Sequence, residues 1–223
     1  MDWNGYATGW ARLHGGYDPR RAGPLVRGWL RMSYGVGRAL NRIGFTPSAV
    51  TTLNLLFCLA VPAVVGWRPG VPVLVASGLV LLAAVADSAD GAVAVISGRT
   101  SRIGYVYDSL ADRIGESAWL AAFWIIGAPG PLVVTAAALS WLHEYTRARA
   151  SIAGMRAIGA VTVGERPTRV LVALFGLAAC GAAGLVSREL PAGAGTLVTA
   201  VWVLLSAIGL TQLFAAVSTE LGR

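Results

Sequence analysis

Six stretches of about twenty mostly apolar residues divide this chain, at roughly 48–67, 72–96, 104–127, 130–148, 168–186 and 195–217. Inside a bilayer no water satisfies backbone N–H and C=O groups, so segments of this length and character cross as α-helices. The breaks between them carry turn chemistry, Trp67-Arg68-Pro69-Gly70 and Gly127 to Pro131 being examples. Only 13% of the 223 residues are charged, against about a quarter in an ordinary soluble domain. The chain therefore reads as an all-α integral membrane protein with six transmembrane helices. A soluble dinucleotide-binding enzyme, a secreted disulfide scaffold and a disordered tail are all excluded. Cys58 and Cys180 fall inside apolar stretches and read as small buried hydrophobes rather than a bridge.

Eighteen basic residues stand against eleven acidic ones, and every basic residue is an arginine. All but Arg113 sit in or beside the breaks, which is the pattern of membrane orientation rather than of nucleic-acid binding. Arg12, Arg20, Arg21, Arg27, Arg31, Arg38 and Arg42 precede the first span. Arg99 and Arg102 follow the second, and Arg147, Arg149, Arg156, Arg166 and Arg169 surround the break after the fourth, with Arg223 at the end. The opposite side receives only Arg68 and Arg188. Both termini are thus expected in the cytoplasm of a bacterial cell whose plasma membrane holds the chain. Residues 1–24 are polar and lack the apolar run of a signal peptide, and His14 among them is given no role. In residues 25–43, Leu25, Trp29, Met32, Val36 and Leu40 recur at helical spacing with arginines between them. That pattern predicts an amphipathic juxtamembrane helix lying in the headgroup plane. Residues 44–223 would form the six-helix membrane domain.

Ionisable groups within spans are costly and mark functional sites. Asp87 and Asp90 share one face near the end of the second span, and Asp108, Asp112 and Glu116 share one face at the start of the third. The intervening break lets the two helices run antiparallel and brings both acidic faces to one depth. Facing carboxylates need cations to stay ionised, and oxygen ligands without His or Cys select a hard ion, Mg²⁺ or Mn²⁺. Two such ions suit phosphoryl transfer. Periodicity leaves a second class open, a cation or proton relay in a coupled transporter.

The local sequence adds more. Asp87-Ser88-Ala89-Asp90-Gly91-Ala92-Val93-Ala94, followed by Gly104, Asp108 and Asp112, resembles the signature of the CDP-alcohol phosphotransferase family, D-x2-D-G-x2-A-R-x8-G-x3-D-x3-D. Seven of the eight fixed positions match; the departure is Val95, where the family carries arginine. The resemblance implies that Asp87, Asp90, Asp108 and Asp112 hold two divalent ions against the CDP diphosphate, with Asp112 also the general base. It further implies donor contacts at Gly91, Ala94, Ser101 and Gly104, and at Thr46-Pro47-Ser48-Ala49, a stretch that also reads as a plain helix start. The missing arginine at position 95 raises the alternative of a lipid-binding pseudoenzyme, unless Arg99 or Arg102 supplies the charge. Arg113 and Glu116 read as partners within the bundle, as do His143 and Glu144.

Tyr145-Thr146-Arg147-Ala148-Arg149 and Glu165-Arg166-Pro167-Thr168-Arg169 flank the acidic cluster and are similar to the acceptor-phosphate segments of the actinobacterial phosphatidylinositol-phosphate synthases. Guanidinium forks suit phosphate, so Arg147, Arg149, Arg166 and Arg169 are candidate ligands of an acceptor phosphate. The implied reaction moves a phosphatidyl group from CDP-diacylglycerol to a phosphorylated polyol, inositol 1-phosphate first and glycerol 3-phosphate second, releasing CMP. The resemblance also implies a homodimer, which small residues along the spans permit.

Overall fold

The computed structural model describes residues 1–13, 15–67, 69–155 and 162–222. Arg68, Arg156 and Arg223, counted above for orientation, and His14 lie outside the described residues. Every regular element among those described is helical: α1 (Trp3–Leu13), α2 (Pro24–Arg42), α3 (Pro47–Val65), α4 (Val71–Ser97), α5 (Arg102–Ile126), α6 (Gly130–Ile152), α7 (Arg166–Val186) and α8 (Leu190–Leu221), with a 3₁₀ turn at Pro19–Arg21. Four helices, α3, α4, α7 and α8, are long and apolar enough to cross a membrane. The stretches expected as the third and fourth spans form the helices α5 and α6, of 25 and 23 residues, which carry more charge. Hydroxyls within the apolar helices bond back one turn, as Thr52 does to Ser48 O and Thr199 to Gly195 O.

The chain divides into two compact units. The first comprises Met1–Phe57 and Leu82–Ile114. Its core is Val50, Ala86, Ala89 and Val93, with Val36, Leu40 and Phe57 packed against them. The helix expected over residues 25–43 is α2, starting at a proline whose fixed φ suits the first turn. It comes close to α4 at Gly37, where an added Cβ would lie 2.6 Å from the Ala92 Cβ. Of the expected apolar stripe, Val36 and Leu40 turn inward, while Leu25 is 87% exposed.

The polar segment before α2 is a folded part of this unit. Tyr6 and Ala7 of α1 are buried. The Trp3, Tyr6 and Tyr34 rings pack with centroids 5.1–5.8 Å apart, and the Arg31 guanidinium lies over Trp3. Tyr34 Oη donates to Met1 O at 2.9 Å. On the same helix, Gly9 meets the Val95 side chain of α4, 2.9 Å from where its Cβ would be.

The second unit comprises Cys58–Leu81 and Gly115–Arg223, where α8 packs on both α6 and α7. Trp119, Phe123, Leu177 and Trp202 are among its largest buried side chains. Trp202 Nε1 donates to Ser140 Oγ at 2.9 Å, and Ser77 Oγ to Leu174 O at the same distance. Cys58 and Cys180 are both buried free thiols. The turn before α7 is drawn onto α8 at Gly164 and Gly209, where a Cβ on Gly209 would sit 2.5 Å from the Gly164 backbone.

Candidate active site

The acidic site lies in the first unit. A rise of three residues puts Asp87 and Asp90 on one face of α4, and residues 98–101 reverse the chain into α5, with Gly98 at φ 68°. Carboxylate oxygens of Asp87, Asp90 and Asp108 all lie within 4.8 Å of one another. Asp90 is buried and the other two are half-buried. The donor set is all oxygen with no Cys or His, which fits a hard divalent cation. Asp112, expected as a fourth ligand, lies outside this group of three, one turn along α5. Its Oδ2 is 3.8 Å from the Arg113 guanidinium, the pairing expected for that arginine.

A second layer comes from α3. Thr51 Oγ1 donates to Asp90 Oδ2 at 2.7 Å, and Asn54 Nδ2 to Asp87 Oδ1 at 3.3 Å. Such outer hydrogen bonds fix which carboxylate oxygen remains for a metal. Thr52 Oγ1 and Tyr107 Oη share a 2.8 Å hydrogen bond, joining α3 to α5. From α2, Trp29 Nε1 donates to Ser88 Oγ at 2.8 Å, between the two α4 aspartates in sequence. None of these residues was a candidate from sequence. The signal available was a Thr and an Asn three residues apart in an otherwise apolar span.

The expected donor residues divide. Thr46 Oγ1 accepts from Ala49 N at 3.2 Å and caps α3, so the helix-start reading of Thr46-Pro47 holds. Ser48 and Ala49 are exposed on the first turn. Ser101 Oγ accepts from Gly104 N at 3.0 Å and caps α5. A Cβ on Gly104 would lie 2.8 Å from that hydroxyl, a contact that a small turn of the serine side chain relieves. Gly91 differs. A Cβ there meets nothing within 4 Å, so no neighbour among the described residues explains the glycine. Ala94 is half-buried.

The expected acceptor arginines belong to the second unit, and Arg169 is not what the sequence suggested. It is 3% exposed and has all five of its N–H groups engaged. Nε donates to Gly164 O at 2.8 Å, Nη1 to both oxygens of Glu116 at 3.1 and 2.8 Å, and Nη2 to Glu144 Oε1 at 2.9 Å and His143 Nδ1 at 3.3 Å. With its donors committed to carboxylates, Arg169 is the hub joining α5, α6 and α7 rather than a guanidinium presented to an anion. Arg147 pairs with Glu165, which also accepts from Thr162 N and Oγ1. Arg149 is exposed on the last turn of α6, and Arg166 is half-buried on the first turn of α7. Glu116, His143 and Glu144 take the bundle roles expected of them.

The sequence model of the CDP-alcohol phosphatidyltransferase family matches residues 45–217. The chain is similar to a phosphatidylinositol phosphate synthase of Mycolicibacterium smegmatis, 34% identical over 211 residues that make up 87% of each chain. It also resembles crystal structures of the Mycobacterium tuberculosis phosphatidylinositol phosphate synthase. The form with CDP-DAG bound superposes with a TM-score of 0.68 at 27% identity, covering 86% of this chain and 96% of that one. The form in complex with manganese and citrate gives the same TM-score at 26% identity, covering 85% and 90%.

Proposed function

This chain belongs to the CDP-alcohol phosphatidyltransferase family, and from that premise we propose that it moves the phosphatidyl group of CDP-diacylglycerol onto a phosphorylated polyol, inositol 1-phosphate foremost, and releases CMP. Family membership makes it a metal-dependent transferase of phospholipid synthesis and removes the transporter reading. The observation that carries the chemistry is the meeting of Asp87, Asp90 and Asp108 within 4.8 Å on the family signature. The inositol phosphate acceptor is supported by the activity that the relatives' names state.

In the proposed reaction the acceptor hydroxyl oxygen bonds to the lipid-linked phosphorus, and the bond from that phosphorus to the bridging oxygen of CMP breaks. Divalent ions held by Asp87, Asp90 and Asp108 would neutralise charge on the diphosphate. Asp112 takes the hydroxyl proton. Its place outside the three-carboxylate group supports giving it the base role rather than a metal ligand's. Thr51 and Asn54 orient Asp90 and Asp87. The open side of Gly91 supports close approach of the donor to the α4 backbone, with Ala94, Ser101, Gly104 and residues 46–49 as the further donor contacts. Arg147, Arg149 and Arg166 meet the acceptor phosphate, and Arg169 stands behind them as their anchor.

The membrane arrangement proposed is six spans, α3 to α8, with α2 along the inner surface and both termini and the active site cytoplasmic. The arginine distribution supports it, and a homodimer fits the family. Measuring CMP release from CDP-diacylglycerol against inositol 1-phosphate, glycerol 3-phosphate and free inositol tests the reading. Release with inositol 1-phosphate is expected. Release with free inositol alone would overturn the phosphorylated-acceptor assignment, and preference for glycerol 3-phosphate would select the second reading, which the same arginines also suit.

A further inference from the structure

His143 lies at the centre of a directed chain of hydrogen bonds in the second unit. Arg169 Nη2 can only donate, so His143 Nδ1, 3.3 Å away, accepts and the ring proton resides on Nε2. Nε2 then donates to Thr162 Oγ1 at 2.9 Å. The Thr162 hydroxyl, having accepted that hydrogen bond, turns its own proton toward Glu165 Oε1 at 3.1 Å. The same carboxylate oxygen accepts from Arg147 Nη2. Every link has one permitted direction, running from Arg169 through His143 and Thr162 to Glu165, where it meets Arg147. Both middle groups are buried, His143 at 0% and Thr162 at 3% exposure. A buried polar chain keeps one geometry only when every member is satisfied. The far end is rigid: Arg169 is clamped by Glu116, Glu144 and Gly164 O, and Gly164 is pressed against Gly209.

We infer that His143 is a positioning residue for the acceptor phosphate: through Thr162 and Glu165 it fixes the direction in which Arg147 presents its guanidinium. The inference rests on the proposed role of Arg147 and extends it inward by three residues. A structural histidine could be replaced by any side chain that fills the space. A relay needs a donor at the Nε2 position, next to Thr162.

Gln and Asn separate these cases, because a Gln amide reaches the Nε2 position and an Asn amide reaches only as far as Nδ1. His143→Asn should raise the acceptor KM roughly tenfold, the scale of a disrupted buried hydrogen bond next to a charge. The donor KM, the metal requirement and kcat should change by less than about twofold. His143→Gln should keep the acceptor KM near that of the parent enzyme. Thr162→Val and Thr162→Ser repeat the comparison outside the helix, with Val behaving like Asn and Ser like Gln, so a folding defect at position 143 does not decide the matter. Arg147→Ala should raise the acceptor KM by itself, and adding His143→Asn to it should raise it no further. If Arg147→Ala leaves the acceptor KM unchanged, the acceptor role of Arg147 fails and the relay with it. If Arg147→Ala acts but Asn and Gln at 143, and Val and Ser at 162, behave alike, the relay alone is overturned.

Discussion

Thr51 Oγ1 holds Asp90 Oδ2 at 2.7 Å, and both side chains are buried. The hydroxyl limits the freedom of a carboxylate that lies in the group shared with Asp87 and Asp108. Thr51→Val keeps the shape and deletes the donor. Metal affinity should fall about tenfold to a hundredfold, as for lost outer-shell partners elsewhere, and Thr51→Ser should retain most of it. Titrating activity against Mg²⁺ measures both. An unchanged half-saturation point for Val would show that the hydrogen bond does not tune the site.

Exhaustive chelation should abolish CMP release, and Mg²⁺ or Mn²⁺ should restore it. Three carboxylates this close repel one another and a diphosphate beside them, and divalent cations would offset both. Turnover persisting in the metal-free enzyme would contradict the proposed chemistry.

Asp90→Asn and Asp112→Asn should fail in different ways. The first weakens metal binding, so excess Mg²⁺ recovers part of the rate. The second leaves the three-carboxylate group intact and removes a proton acceptor, at a cost of about a hundredfold to ten-thousandfold in kcat that added metal does not recover. Recovery of Asp112→Asn by Mg²⁺ would make that residue a ligand instead.

Docking of α1 on α4 is tight enough to test by size. Gly9→Leu places a branched side chain where even a Cβ would lie 2.9 Å from Val95 Cγ1. Overpacking of this kind typically costs about 1–3 kcal/mol, and thermal unfolding should move down by several degrees. Val95→Ala in the same chain should recover part of the loss. Equal melting of Gly9→Leu and its parent would mean α1 does not rest on α4 in solution.

Sidedness can be read with single cysteines at Arg99, Thr100 or Ser101, all exposed in the break between α4 and α5. The native background should be low, because Cys58 and Cys180 are buried. An impermeant maleimide should label these positions in inside-out vesicles and not in intact cells. The reverse result would invert the arginine-based orientation.

Helices α3 to α8 and the acidic cluster were legible because apolar length and three-residue spacing are properties of a single segment. α1 was hidden by its composition. Asn4, Gly5, Thr8 and Gly9 are weak helix formers, and they masked Trp3, Tyr6, Ala7 and Trp10, which fall on helical spacing. The two glycines that lower its propensity are also what keep the helix slim, Gly9 against Val95 in particular. Arg169 was misread for a different reason. An arginine at a helix start looks the same in sequence whether it faces an anion or Glu116, and only the fold brings a residue 53 positions away into bidentate reach. Thr51 was passed over because a hydroxyl in a span ordinarily bonds its own backbone, as Thr52 does to Ser48 O.

The three carboxylates reach one point from two helices joined by only residues 98–101, and this gives the stretch from Asp87 to Asp108 the character of a screw thread. One residue added inside α5 ahead of Asp108 would advance everything beyond it by about 1.5 Å and turn it by about 100°. Asp108 would then point away from its two partners while the helix itself stayed intact. Many substitutions between the aspartates can be absorbed, those at Gly91, Ala94 and Gly104 apart, but a change of length within the helix cannot, so the gaps in the acidic signature are as much a part of the site as the acids.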